Sequence, residues 1–402
     1  MPSAGQYPFA IHPVSQHYAW GGYDFLYKLK PQPNPDNLPL AELWLGAHPK
    51  GAATLYGSSK TLEDLINESP AAYLGQPVAK RYVNRLPFLL KVLEVNQMLS
   101  IQVHPTKAAA EEGFAREEKI GPDRTAPNRN YRDDNHKPEL GVAVTDFYLL
   151  HGFRSREAIA KTLREVPGWD ALSPVLEAGG VKGLYRHIMA ADQATVDALL
   201  QPLVDRVAAG PSDDPTTPEH WTGQAVEVYT KNGHHDRGIF SIYWFNILHL
   251  KPGQGIFQDA GVPHAYLRGV CVELMANSDN VLRGGLTPKH IDVPELLKHT
   301  DCSTVTPAIL QAGESANADG WLDYPTPAPD FALSVARATA GKMLTLPAED
   351  RPSIVLLMKG KLRGVGIYLR PATRFYYVPP GASFTAEAIE DSEVYRATVG
   401  TA

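Results

Sequence analysis

Residues 100–107 read SIQVHPTK and alternate polar with apolar side chains ahead of a proline. With a side-chain period of two, Ser100, Gln102 and His104 point to one face of a strand, and the apolar residues between them point to the other. For this strand alone, the simplest interpretation is a half-buried strand whose polar side lies in water.

The segments around this strand alternate between sequence typical of β-strands and sequence typical of helices. The chain up to about Phe153 is rich in aromatic and β-branched residues and contains turns such as PQPNPDNLP, which predicts mostly β-structure. From Ser155 to about Val207, apolar residues recur at helical spacing, with Ser155 and Asp192 as N-cap candidates. Residues 222–230 also look helical, whereas GIFSIYWFNILHLKPGQGIF at 238–257 predicts a return to strands.

These segments predict a mainly β protein with a helical insert. We expect a first β region in two parts, 1–153 and 231–310, separated by a helical insert at 154–230. After the Pro-rich stretch YPTPAP, residues 311–402 should form a C-terminal β domain, either a sandwich or a jelly roll. A chain of 402 residues is long enough for two or three domains with substantial cores.

Composition excludes several classes of function. With 44% hydrophobic and 20% charged residues and a formal net charge of -6, the chain lacks the global basic field that nucleic acid or anionic lipid would require. The two cysteines, Cys271 and Cys302, provide no disulfide framework. Without a membrane-spanning apolar run or a signal-peptide pattern, we expect a cytoplasmic protein with no nucleic-acid or membrane partner.

Chemistry-bearing residues concentrate in three stretches: SIQVHPTK, DDNHKPELG at 133–141, and DAGVPHAYLRGVCVELMANSDNVLRGGLTPK at 259–289. In the second, Pro138 favours an extended conformation at the preceding residue, so Lys137 and Glu139 should share one face while His136 leans away. In the third, a turn delivers His264 to the start of a strand. The usual signatures of nucleotide binding and of serine nucleophiles are absent.

Gln102, His104, Glu139 and His264 together suit one divalent metal ion with room for water or substrate. Zinc is the first choice, but manganese, iron or cobalt fits the same ligands, and iron would favour a 2-His-1-carboxylate oxygenase. Spacing alone does not decide between them. The tripeptide HHD at 234–236 is also metal-like, but its glycine-flanked, charged surroundings favour a solvated loop.

Several motifs closely resemble the type I mannose-6-phosphate isomerase family. They are HYAWGG at 17–22, AELWLGAHPKG at 41–51, LPFLLKVLEVNQMLSIQVHP at 86–105, NHKPEL at 135–140, GVPHAYLRG at 261–269 and VELMANSDNVLRGGLTPKHID at 272–292. The resemblance implies a zinc enzyme that interconverts mannose 6-phosphate and fructose 6-phosphate, built from cupin-like jelly-roll β domains plus an inserted α-helical domain. It implies that 1–153 and 231–310 together form the catalytic jelly roll and that 311–402 form a C-terminal jelly roll.

The resemblance also implies roles for individual residues. The implied metal ligands, for one zinc ion per chain, are Gln102, His104, Glu139 and His264. The implied catalytic residues are Arg283, Lys137, His136, Asp279, Tyr266 and Glu273. The implied substrate-binding residues are Ser100, Lys91, Trp20 and Glu42. We expect a small sugar phosphate as the only partner and a monomeric protein.

Aldose–ketose exchange moves a proton between neighbouring carbons through an enediol, so negative charge develops on oxygen. Arg283 suits a fixed cation near that charge better than a free base, because the pKa of a guanidinium exceeds about 12. The identity of the base stays open. Two alternatives remain at this point. One is a cupin-type iron oxygenase. The other is a non-catalytic sugar-binding cupin, and the intact set of metal and cationic residues argues against it.

Overall fold

The computed structural model describes residues 7–313 and 319–401. Its strands are β1 (Phe9–His12), β2 (Val14–Gln16), β3 (Glu42–Leu45), β4 (Ala47–His48), β5 (Gly51–Ala52), β6 (Thr54–Leu55), β7 (Phe88–Val95), β8 (Gln102–Val103), β9 (Glu139–Ala143), β10 (Phe147–Phe153), β11 (Phe245–Leu250), β12 (Gln254–Gln258), β13 (His264–Ala276), β14 (Leu282–Arg283), β15 (Leu310–Gln311), β16 (Leu322–Tyr324), β17 (Ala332–Ala338), β18 (Met343–Leu346), β19 (Ser353–Gly364), β20 (Ile367–Leu369), β21 (Phe375–Val378) and β22 (Phe384–Thr398).

The helices lie in two groups. Those before β10 are α1 (Phe25–Leu29), α2 (Leu62–Glu68), α3 (Pro70–Leu74), α4 (Gln76–Arg81) and α5 (Lys107–Ile120). Those after β10 are α6 (Arg156–Glu165), α7 (Ser173–Ala190), α8 (Gln193–Ala209), α9 (Pro218–Tyr229), α10 (Gly238–Trp244) and α11 (Val293–His299), with a 3₁₀ turn at Asp170–Leu172.

The first of two large antiparallel sheets, here called the central sheet, holds the residues of interest. Within the described residues its eleven strands run in the order β15-β12-β9-β13-β7-β3-β2, with β10, β11, β8 and β14 joined through β10 and β8 to the first half of β13. Gly269, whose φ of 121° lies in the region that favours glycine, marks the point where the pairing of β13 changes from β10 to β7. One strand therefore contributes to both halves of the sheet, and residues from the two halves face one another.

The second sheet, here called the C-terminal sheet, comprises nine of the described strands, in the order β16-β17-β22-β19-β21-β1-β6 with β18 and β20 at its margins. Strand β1 pairs Phe9 with Tyr377 and Ala10 with Tyr376. The chain thus enters the C-terminal sheet first and the central sheet second. The division at residues 153, 230 and 310 remains a prediction, and this pairing shows that the two sheets share the N-terminal segment.

Side-chain capping explains where two helices of the second group begin. The Ser155 hydroxyl accepts a hydrogen bond from the Ala158 N–H at 3.1 Å, and the Asp192 carboxylate accepts one from the Thr195 N–H at 2.8 Å. Each bond satisfies a backbone N–H that has no partner within its helix. Both predicted N-caps are confirmed.

The expectation of strands from residue 238 onward is wrong for the first seven residues, which form α10. All seven are buried, and an apolar run that is buried on every side has no amphipathic period to distinguish helix from strand. Strand structure resumes at Phe245.

The fold class is confirmed: two antiparallel sheets dominate, and a helical region lies between β10 and β11. Within the described residues, no helix combines the length and the apolar character needed to cross a bilayer.

Candidate metal centre and its cavity

Strand register places three functional side chains in one row. His264 at the start of β13 lies opposite Gln102 of β8, and Gln102 lies opposite Arg283 of β14. Residues that face each other across antiparallel strands project from the same side of the sheet. His104, two residues beyond Gln102, groups with His264 in one cluster of ligand atoms; the shared face of Gln102 and His104 stays a prediction from the alternation in SIQVHPTK.

Glu139, the first residue of β9, meets this row from the other half of the central sheet. One of its carboxylate oxygens lies 3.4 Å from His104 Nε2 and the other lies 3.3 Å from His264 Nε2. The three ligand atoms lie within 4.8 Å of one another. Their residues are at most 4% exposed, so the cluster is shielded from solvent.

Backbone carbonyls fix the orientation of both imidazoles. His104 Nδ1 donates to the Asn280 carbonyl at 2.9 Å, and His264 Nδ1 donates to the Val262 carbonyl at 3.0 Å. Each Nε2 lone pair then faces Glu139, and His104 Nε2 is buried without a hydrogen-bond partner among the described residues. Burial lowers the pKa of His104 to about 4, which keeps the ring neutral. A neutral imidazole held through its other nitrogen is the form that binds a metal ion.

Lys137 approaches the same carboxylate, with its Nζ 2.9 Å from Glu139 Oε1. Burial alone would raise the pKa of Glu139, but the charge of Lys137 is the largest of the interactions that outweigh it and hold that pKa well below the usual range. Glu139 is therefore an anion at neutral pH. A buried carboxylate with two imidazoles and an amide oxygen nearby fits a divalent cation.

A cavity of about 60 Å³ opens beside the cluster. It is lined by Glu42, Lys91, Leu93, Leu99, Gln102, Lys137, Glu139, His264, Ala265, Tyr266 and Glu273. Eight of these are residues with a predicted site role: all but Leu93, Leu99 and Ala265. A volume of this size admits a few water-sized groups, so it accommodates reacting atoms but not a whole sugar phosphate.

Opposite the metal cluster, the cavity wall contains a buried cation between carboxylates. Lys91 Nζ lies 3.0 Å from Glu273 Oε2 and 3.7 Å from Glu42 Oε2. Burial lowers the pKa of Lys91, but the surrounding carboxylates outweigh it and raise the pKa overall. For Glu273, burial raises the pKa, and the opposing charge of Lys91 does not cancel that effect. Lys91 is thus a fixed cation, and Glu273 is a carboxyl whose proton affinity is increased.

Tyr266 completes this wall. Its hydroxyl oxygen lies 3.1 Å from where a Cβ on Gly141 would stand, so the glycine gives the phenol its space. Burial, followed by the charges of Glu273 and Glu139, raises the pKa of Tyr266 well above its usual value. The phenol therefore remains a protonated donor at neutral pH.

Six predicted site residues lie outside this cavity lining in the described structure: the metal-cluster residue His104, and Trp20, Ser100, His136, Asp279 and Arg283. Trp20 stacks on Tyr18 with ring centroids 5.8 Å apart, and Ser100 is half-buried just before β8.

His136 and Asp279 have partners of their own. His136 Nε2 lies 2.9 Å from Asp330 Oδ2, beside the Pro-rich stretch that leads to the C-terminal sheet, so its ring leans away from Lys137 and Glu139. Asp279 Oδ2 lies 2.8 Å from Lys50 Nζ and 3.6 Å from His48 Nε2. The predicted roles of both residues remain untested predictions.

Arg283 belongs to a second group of cations next to the metal row. It is half-buried, and burial followed by the charge of Arg132 lowers its pKa. Burial followed by the charges of Arg283 and Arg132 also lowers the pKa of Lys289. Across residues 7–313 and 319–401, no carboxylate pairs with Arg283 or Lys289. Clustered cations without a carboxylate partner favour the binding of an anion.

Sequence reasoning did not single out Lys289 or Arg132. The signal available was the presence of Arg283 and Lys289 on either side of the turn GGLTP. This signal could be interpreted only with the geometry of the turn, because five residues lie between the two cations along the chain.

The prediction that HHD at 234–236 is a solvated loop is wrong for two of its three residues. His235 is 6% exposed, and Asp236 accepts hydrogen bonds from the backbone N–H groups of Gly238, Leu286 and Thr287. Only His234 is exposed. Two of the three partners of Asp236, Leu286 and Thr287, lie about fifty residues further along the chain, which local composition does not reveal.

Comparison with known proteins gives the family. The model for "Phosphomannose isomerase type I, catalytic domain" matches residues 9–156. The mannose-6-phosphate isomerase of Escherichia coli (strain K12) is 38% identical over 330 residues, which cover 80% of this chain and 81% of the relative. This chain belongs to the type I phosphomannose isomerase family. The mannose-6-phosphate isomerase of Mus musculus is 36% identical over 391 residues, covering 89% of this chain and 88% of the relative.

Solved structures of the family share the whole fold. A mannose 6-phosphate isomerase crystal structure described as holo and zinc-bound has a TM-score of 0.86 and 33% identity, and covers 98% of this chain and 99% of that one. The predicted family and fold are thereby confirmed.

Proposed function

We propose that the protein is a metal-dependent isomerase that interconverts mannose 6-phosphate and fructose 6-phosphate. The observation that carries the proposal is the buried cluster of His104, Glu139 and His264, which adjoins a cavity lined with opposed charges in a chain of the phosphomannose isomerase family. A non-catalytic sugar-binding protein would have no use for so costly a set of buried ionic groups.

The metal is proposed to be one zinc ion per chain, held by Gln102, His104, Glu139 and His264. Zinc-bound relatives support this choice, and so do the two imidazoles whose Nε2 atoms face one carboxylate. When bound, zinc would supply Lewis-acid polarisation of sugar oxygens in a site that excludes bulk water.

The phosphate of the substrate is proposed to bind at Arg283 and Lys289, with Arg132 adding to the positive potential. The cavity is too small for the whole sugar phosphate, and Arg283 stands directly opposite the cavity residue Gln102. Lys91 and Lys137 were candidates for the phosphate as well, but each is within 3.0 Å of a buried carboxylate and serves the reacting end better. The phosphate thus anchors the sugar with its carbonyl end in the cavity.

Proton transfer is proposed to involve Glu273. Its increased proton affinity suits a carboxylate that accepts a proton from carbon and returns it to the neighbouring carbon. Lys91, 3.0 Å away, stabilises the ionised form before the transfer, while the phenol of Tyr266 and the cation of Lys137 can stabilise charge that develops on the enediol oxygens. Arg283 adds a fixed positive charge from the rim.

The direct test is a coupled assay of mannose 6-phosphate isomerisation with metal-defined protein, run in parallel in heavy water. We expect turnover that depends on zinc and product that carries some solvent deuterium, because an enediol route passes the proton through a protein group. No turnover by folded, zinc-loaded protein would refute the proposed reaction. Monomeric state and cytoplasmic location remain predictions from the sequence.

A further inference from the structure

The turn that carries the proposed phosphate site is held by a carboxylate from the helical region. Asp236 precedes α10, and its Oδ1 accepts hydrogen bonds at 2.7 Å from the N–H groups of Gly238 and Leu286. Its Oδ2 accepts a third from the Thr287 N–H at 3.1 Å. Leu286 and Thr287 lie between Arg283 and Lys289, so Asp236 is hydrogen-bonded to the backbone that joins the two cations.

The turn at residues 285–287 has an unfavourable backbone conformation. Gly285 has a φ of 121° and Leu286 a φ of 52°, and left-handed backbone is unfavourable for leucine. The approach is also close: a Cβ on Gly238 would lie 2.5 Å from the Leu286 nitrogen. Hydrogen bonds to a charged acceptor are among the stronger ones that could hold such a turn.

Asp236 is itself anchored in the helical region. The neighbouring His235 N–H donates to Asp197 of α8 at 2.8 Å, and its carbonyl accepts from Gln193 Nε2 at 2.9 Å. On its other side, the turn is tied to the metal-binding segment, because Ile101 exchanges backbone hydrogen bonds with Gly284 and Gly285 at 2.9 and 3.0 Å. The turn therefore has two supports, one from the sheet and one from the helices.

We propose that Asp236 is a positioning residue for the substrate phosphate: by clamping the 285–287 turn, it holds Arg283 and Lys289 in the geometry that binds the anion. This inference rests on the proposed function. It gives the helical region a part in substrate recognition, although that region contributes no group to the metal site.

The test measures inorganic phosphate binding by calorimetry on zinc-loaded protein, and kinetics with mannose 6-phosphate. Asp236→Ala should weaken phosphate binding and raise KM by about tenfold each, with a smaller change in kcat, because an anchoring contact far from the reacting carbons is lost. Asp236→Asn keeps the size and the Oδ1 acceptor and should fall between the parent and Asp236→Ala. Zinc content should equal that of the parent in both variants.

A matched control is Asp192→Ala, which removes a capping carboxylate from the same helical region without touching the turn. It should leave phosphate binding unchanged even if it lowers the melting temperature, so a purely structural role of Asp236 would make the two alanine variants behave alike. In a Lys289→Ala background, the effect of Asp236→Ala should shrink, because both act on one site.

Normal phosphate binding by folded Asp236→Asn and Asp236→Ala would overturn the inference, as would the lack of any phosphate binding by the parent. Should Asp236→Ala not fold, the comparison of Asp236→Asn with the parent decides. Calorimetry needs no turnover, so phosphate binding that depends on Asp236 in a protein without isomerase activity would uphold the clamp and refute only the proposed reaction.

Discussion

Replacing Lys91 with methionine should destabilise the protein in a strongly pH-dependent way. Methionine has a similar length and removes the only cation that lies within 4.0 Å of Glu273 and Glu42 among residues 7–313 and 319–401. These side chains are at most 9% exposed, so water cannot replace the lost partner. Removing one partner of a buried ion pair costs about 3–5 kcal/mol of unfolding free energy, because a charge is left buried without compensation.

The sign of the pH dependence follows from the carboxyl that remains. Burial already raises the folded-state pKa of Glu273, and without Lys91 it should rise further, while the unfolded value stays near about 4.3. Between those two values the folded variant binds one more proton than the unfolded chain, so its stability falls by about 1.4 kcal/mol per pH unit. A loss of about 3–5 kcal/mol therefore needs roughly two to four pH units to develop. The difference in unfolding free energy between the Lys91→Met variant and the parent should be small near pH 4–5 and large at pH 8.

The assay is urea unfolding followed by tryptophan fluorescence at pH 5 and pH 8, with metal removed from both proteins so that zinc binding does not add to stability. Lys60→Met is the matched control, since Lys60 pairs with Glu68 on the exposed surface and its loss should leave the midpoint unchanged at both pH values. An equal loss at both pH values would show that packing rather than charge explains the effect. No loss at pH 8 would refute the assignment of Lys91 as the compensating cation.

Three further predictions concern activity. Chelation should abolish turnover and zinc should restore it better than magnesium, with Glu139→Gln retaining less metal by elemental analysis; full turnover by verified metal-free protein would refute the ligand assignment. Unphosphorylated mannose should show a lower kcat as well as a higher KM in steady-state assays, because remote binding energy is used at the reacting carbons, and equal efficiency would remove the phosphate site. Arg283→Ala should keep its zinc yet lose about a hundredfold to several thousandfold in rate, and Arg283→Lys should recover little of it; near-normal turnover by zinc-loaded Arg283→Ala would exclude Arg283 from the mechanism.

Local sequence patterns predicted those parts of the site that depend on short-range geometry. The period of two in residues 100–104 predicts one face for Gln102 and His104, and the structure brings both beside His264; the proline after Lys137 predicts that His136 leans away, and its ring pairs with Asp330. Both results follow from backbone geometry over a few residues. The motif resemblance then placed Lys91 and Glu273 in the same site, and in the structure they face each other across β7 and β13.

What the sequence did not predict depends on distant partners. Asp236 owes its role to backbone groups fifty residues away, and a charged tripeptide beside glycine looks locally like any exposed turn. The helix α10 was mistaken for a strand because it is apolar on all sides. The ion pair between His136 and Asp330 joins residues 194 positions apart, so no local pattern could predict it.

The pairing of β1 with β21 has a consequence for synthesis of the chain. Phe9 and Ala10 find their partners only when Tyr376 and Tyr377 have been made, whereas Ile11 and His12 can pair with β6 much earlier. At about 5–20 residues per second, the roughly 320 residues of translation between Leu55 and Tyr376 separate the two events by roughly 16–64 s. During that interval the nascent chain exposes an open β-edge with aromatic side chains. A ribosome-associated chaperone, or slower translation of the residues between β6 and β21, should therefore affect the yield of folded protein more than the metal supply does.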